Sequence, residues 1–121
     1  MLQGGEDAVK KLALFYHPSF SRRSYLTVGR RLADFPAALE GFLAREDVGF
    51  YESPPVEEEL VLQVHTPELV RAVRQNPYCA TAWHSAGGVV QAVEEVARGE
   101  ALRAFSFIGA GGHHAGRDYF W

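Results

Sequence analysis

Three short apolar runs, Leu12–Tyr16, Val48–Tyr51 and Ala104–Ile108, are set apart by stretches far too long to be hairpin turns. Apolar runs of this length without polar alternation suit strands buried on both faces. Strands joined through long, helix-bearing connections pair in parallel, because a parallel neighbour needs a crossover of about a dozen residues or more. The runs therefore predict an α/β fold of three αβα layers, with helices covering both sides of a parallel sheet.

The segments between them carry helical patterns. Leu32, Phe35, Leu39, Phe42 and Leu43 recur at helical spacing, with Asp34 available as N-cap and Pro36 in the first turn, which predicts a helix to about Arg45. After the second run, which stops at Glu52-Ser53-Pro54-Pro55, residues 57–64 read as a helical turn or two. Thr66-Pro67 reads as the cap and first residue of another short helix. Asn76-Pro77 repeats that arrangement before the strongest pattern, in which Trp83, Ala86, Val90, Val93 and Ala97 share one face and Gly99 stops the helix. Gly87 and Gly88 inside it each cost about 1 kcal/mol relative to alanine in an exposed helix. A close backbone approach would account for them, and simple tolerance is the other explanation. Residues 1–10, with Gly4 and Gly5, read as a flexible lead-in, and Ser19–Thr27 as a loop. Residues 1–121 form one domain or part of one.

Composition narrows the function classes. A net charge of -3, with twelve dispersed Lys and Arg residues, argues against direct nucleic-acid binding. The pairs Arg22/Arg23 and Arg30/Arg31 are the densest basic region and read as solvated surface. The single cysteine, Cys79, has no thiol partner for a disulfide or a Cys-x-x-Cys site, which fits a reducing cytoplasm. No stretch approaches the roughly 18 apolar residues of a membrane helix, so the expected location is cytoplasmic, with no membrane partner.

Gly109-Ala110-Gly111-Gly112-His113-His114-Ala115-Gly116 follows the last strand, at the end of the sheet where open α/β folds place their ligands. Two consecutive imidazoles there can donate and accept protons near neutral pH. The local chemistry leaves several readings. Gly109-x-Gly111 begins like a dinucleotide fingerprint, but His114 stands at its third glycine position. A metal site would need a third convergent ligand, and neighbouring histidine side chains in an extended loop diverge. The plain alternative is a glycine-rich turn with two surface histidines. His17, His65 and His84 are scattered along the chain and read as surface or capped residues, so no metal ligands are assigned.

Several motifs resemble one family in order along nearly the whole chain. Gly112-His113-His114-Ala115 after an apolar strand is similar to the paired-histidine signature of the histone deacetylase superfamily, which includes acetoin-utilisation proteins and acetylpolyamine amidohydrolases. Leu14-Phe15-Tyr16-His17-Pro18-Ser19-Phe20 looks like the first strand of its bacterial members, and Arg31-Leu32 like the start of the next helix. Val64-His65-Thr66-Pro67-Glu68 resembles its Val-His-Ser/Thr segment. Ala86-Gly87-Gly88 matches the Ala-Gly-Gly of the helix before the third strand. One departure stands out, since the family's His-Pro-Glu before Arg-Leu is replaced here by Leu26-Thr27-Val28-Gly29-Arg30.

The resemblance implies the N-terminal portion of an arginase-like, deacetylase-like domain whose first strand lies between the second and third. It implies zinc-dependent hydrolysis of an acetylated amine, either acetyl-lysine or an acetylpolyamine. His113 would support the leaving side and His114 would act as general base. Gly112 would contact substrate, as would Phe20 and Tyr25, for which core packing is the alternative. The family's Asp-x-His motif, second metal Asp and transition-state Tyr have no counterpart in this sequence. Zinc is therefore expected in the parent family with no ligand set in this chain, and the isolated chain is expected to be inactive. The alternative is a non-catalytic, self-associating module, a homodimer joined through the edge of the 104–108 strand.

Overall fold

The structure, a computed structural model, describes residues 8–22, 31–112 and 114–119. Its centre is a small open sheet of three parallel strands, β1 (Leu12–Tyr16), β2 (Val48–Glu52) and β3 (Ala104–Ser106), in the order β2-β1-β3. Leu12 to Tyr16 pair in register with Val48 to Glu52, and Ala13 to Phe15 with Ala104 to Ser106. The central strand is apolar throughout because both of its faces are covered, and Ala13, Leu14, Phe15 and Tyr16 are all buried. Lys10, expected in a flexible lead-in, instead extends this pairing through a parallel bridge to Ala101.

Alternation along β1 divides the core. Ala13 and Phe15 meet Ala92, Ala101, Tyr51 and Ala104 on one face. On the other, Tyr16 gathers Phe20, Phe35, Leu32, Leu43, Phe50 and Phe107. The first face is covered by α5 (Ala82–Ala97), which packs against β1 and β3. The second is covered by α1 (Ser19–Arg22) and the segment 31–43.

That segment differs from the expected continuous helix. Turns over 31–36 lead to a 3₁₀ turn, Ala37–Leu39, and a single helical turn, α2 (Glu40–Leu43). Proline at 36 disfavours helical geometry at Phe35. Leu32, Phe35 and Leu43 pack in the Tyr16 cluster, while Leu39 and Phe42 are 45% and 40% exposed, so only part of the stripe has a surface to pack on.

The remaining helices are α3 (Glu58–Val61) and α4 (Pro67–Gln75). The Thr66-Pro67 start is as expected, with Thr66 Oγ1 accepting from the Leu69 N–H at 3.2 Å. Asn76-Pro77, by contrast, caps only a 3₁₀ turn, Pro77–Cys79, and α5 begins five residues after Pro77. At its other end the Gly99 N–H bonds to Val96 O and the Glu100 N–H to Glu95 O, with Gly99 at φ +78°. This double bond pattern closes the helix, and it requires the left-handed conformation that glycine adopts readily.

The buried face of α5 also departs from expectation. Ser85, Gly87, Gly88 and Ala92 face inward, whereas Val93 is 64% exposed. The closest approaches decide this. A Cβ on Gly87 would lie 1.8 Å from Pro54 O, and one on Gly88 would lie 2.5 Å from both Ser53 Oγ and Ser106 Oγ. Small residues face the sheet because the backbones leave no room for larger ones. The third strand is also shorter than expected, ending at Ser106, although the Phe107 N–H still bonds to Phe15 O at 2.9 Å.

Candidate functional site

The carboxyl ends of the three strands bring together His17 after β1, Glu52 and Ser53 at the end of β2, the glycine-rich loop after β3 and the first turn of α5. The loop is held at several points. The N–H of Gly109, itself buried, donates to Ser85 Oγ at 2.9 Å, and Ser85 Oγ donates to Thr81 O at 2.7 Å. A Cβ on Gly109 would lie 2.6 Å from Phe20 Cδ1, so the Phe20 ring is packed directly under the loop. Further on, the Ala115 N–H bonds to Gly112 O at 2.8 Å, and the Thr66 N–H to Arg117 O at 3.0 Å. Gly112 has φ +112°, a conformation that a side chain would strain.

His114 is exposed and lies within the segment closed by the Gly112–Ala115 bond. His113 and Tyr25 lie outside the described residues. Phe20, expected to touch substrate, is 4% exposed and belongs to the core beside Tyr16, where it supports the loop from beneath. Next to the loop is an apolar cleft of about 350 Å³ between α3, α4 and α5, lined by Val61, Val70, Trp83 and Val90 together with Gly111 and Gly112.

A second imidazole pair occupies the same end of the sheet. His17 and His84 stack at 3.7 Å between ring centroids and 22° between planes. Their backbone partners fix opposite tautomers. Ser53 O, which can only accept, lies 2.8 Å from His84 Nδ1, so that nitrogen carries the hydrogen. The Ser19 backbone N–H donates to His17 Nδ1 at 3.1 Å, so there the hydrogen is on Nε2, which lies 3.7 Å from Glu52 Oε2.

Burial holds the His17 imidazolium below its ordinary value of 6.5. His84 and Arg22 add to the effect, and Glu52 opposes it. Protonation would also break the bond accepted from Ser19. Because the folded chain binds this proton more weakly than the unfolded chain, the contribution of His17 is fully present above pH 6.5. It is lost as pH falls through 6.5 towards the lowered folded value. The urea midpoint should therefore fall between pH 7.5 and 5, and His17→Gln should flatten that dependence. A midpoint whose pH dependence is the same in both chains would contradict the assignment.

Among the described residues, no group of three or more His, Cys, Asp or Glu side chains could hold a metal ion. The stacked pair falls short of such a group, since His17 Nε2 carries a hydrogen and His84 Nε2 alone keeps a lone pair to offer. The described residues do not fit a zinc ion. Nor is any helix among them long and apolar enough to cross a membrane.

No family model matches the chain, and no curated protein matches it either.

Sequence reading missed Ser85 and the stacking of His84. One signal was present, since Thr81, Ser85, Gly88 and Ala92 recur at spacings of four, three and four, a stripe of small residues that could mark the packed face of α5.

Proposed function

We propose that this chain is the N-terminal part of an arginase-like, histone-deacetylase-like amidohydrolase that hydrolyses an acetylated amine, and that the 109–116 loop is its proton-handling element. The observation that carries the reading is the placement of the glycine–histidine loop. It leaves the carboxyl end of β3 in a sheet ordered β2-β1-β3, the order that the resemblance requires. That end of a parallel sheet is where α/β folds bind ligands.

Hydrolysis of an amide takes a proton from water as its oxygen adds to the carbonyl carbon, and delivers a proton to the nitrogen that leaves. Imidazoles do both near neutral pH, each such transfer contributing about 10²- to 10⁴-fold. His114 is assigned the first role and His113 the second, with Gly112 and Tyr25 at the substrate. Zinc, which the family reading implies, would take its ligands from polypeptide outside the described residues, and no step is derived through it. The reading is tested by acetate release from an acetyl-lysine peptide and from an acetylpolyamine. The 121-residue chain alone, supplied with zinc, is expected to release none, and chelator-sensitive release would contradict the proposal.

A second reading, a non-catalytic module that self-associates, is favoured by the outer edge of β3. Among the described residues β3 pairs only with β1, and Leu102, Phe105 and Ile108 beside that edge are 61%, 55% and 50% exposed. An unpaired edge flanked by apolar side chains is a template for another strand. A two-fold dimer that sediments as such, formed by a complete gene product without hydrolytic activity, would favour this module over the enzyme.

A further inference from the structure

We infer that Ser85 is a positioning residue for the loop that carries His114, acting on that imidazole through the backbone of Gly109. The inference rests on the amidohydrolase reading of that loop. A hydroxyl has one hydrogen and two lone pairs. In Ser85 the hydrogen is committed to Thr81 O at 2.7 Å, one turn back along α5, which fixes the direction of the O–H bond. The lone pairs are thereby left to accept the Gly109 N–H at 2.9 Å. Thr81 and Ser85 are 3% and 7% exposed and Gly109 is buried, so water does not compete readily for these bonds.

The location gives this bond its consequence. The strand ends at Ser106, and the Phe107 N–H makes the last bond to β1, with Phe15 O. Gly109 is the next fixed point, pressed from the other side by the Phe20 ring. From there the chain runs through Gly111 and Gly112 to the segment closed by Ala115 N–H and Gly112 O, and is held again where Thr66 bonds to Arg117. Gly111 and Gly112 lie between the Ser85 anchor and His114, so the anchor sets where the chain starts its path towards that imidazole. A general base must lie within hydrogen-bond reach of its proton, and a displacement of about 1 Å can cost about 10²-fold in rate.

Nuclear magnetic resonance of the 121-residue chain tests this without requiring turnover. In Ser85→Ala, the Gly109 amide should exchange with solvent about tenfold faster or more, the factor that accompanies loss of a buried hydrogen bond. The ring resonances of His114 should shift or broaden, while those of His17 and His84, at the same end of the sheet, stay in place. Ser85→Thr, which keeps a hydroxyl, should restore both signals. If the alanine chain does not fold, Ser85→Cys carries the same test, because a thiol preserves the volume and is a weak acceptor.

His114 resonances unchanged in the face of faster Gly109 exchange would overturn the inference, since the hydroxyl would then serve only its own bond. So would equal disturbance of all three histidines, which marks general loosening. Neither outcome bears on acetate release, so failure of this inference is distinguishable from failure of the amidohydrolase reading.

Discussion

Replacing Gly87 by alanine is expected to destabilise the chain by about 2 kcal/mol or more, even though alanine is the better helix former by about 1 kcal/mol. The new Cβ would lie 1.8 Å from Pro54 O and 2.7 Å from Val56 N, well inside the 3.0 Å that real Cβ contacts respect. Both neighbours are backbone. The segment that carries them is tied at each side, by the Ser53 N–H to Tyr16 O at 2.8 Å and the Val56 N–H to Trp83 O at 3.0 Å. Relief therefore requires α5 to move off the sheet. Overpacking of this kind costs about 1–3 kcal/mol and occasionally more, enough to outweigh the gain in propensity. Gly41→Ala is the control, since nothing lies within 4 Å of its added Cβ. Its midpoint should stay in place or rise slightly. Urea unfolding measures both, and a Gly87→Ala midpoint equal to that of the parent would mean that α5 does not approach β2's end as closely as described.

Phe15→Ala is expected to cost about 3–5 kcal/mol, a large part of the stability of a chain this size. Phe15 is 2% exposed at the centre of the central strand, with its ring 5.4 Å from that of Tyr51. Its other neighbours, Ala13, Ala92 and Ala101, are too small to swing into the space it would vacate, so the cavity persists. Phe105, one strand away, gives the contrast. It is 55% exposed, and Phe105→Ala should change stability by about 0.5 kcal/mol or less. Comparable losses at both positions would mean that the outer face of β3 is covered in solution, as the dimer reading requires.

These expectations separate what local sequence could reveal from what only packing decides. β1 and β2 were legible because burial on both faces demands apolar runs, and the helix start at Thr66-Pro67 and the helix stop at Gly99 were legible because they depend on local backbone chemistry. The face that α5 buries was not. Trp83, Ala86 and Val90 line the cleft rather than the sheet, because contact with Ser53, Pro54 and Ser106 admits only small residues. The stripe from Leu32 to Leu43 carried a helical period that proline and a limited partner surface prevented from forming one helix.

The candidate site was legible in the same uneven way. The loop's position followed from strand order, and its histidine pair from the motif. Its support did not, because Ser85 and Phe20 touch Gly109 from segments 24 and 89 positions away along the chain only in the sense that folding brings them there; no spacing rule connects them to it. His17 and His84 likewise read as isolated residues until β1 and α5 set their rings face to face.

The most direct measurement is the rate of acetate release from an acetylated amine by the complete product of the gene, compared with its His114→Ala variant at equal zinc loading. If the loop handles the protons of amide hydrolysis, the variant should lose about 10²- to 10⁴-fold in kcat. An active product whose rate is unchanged by the substitution would contradict the account.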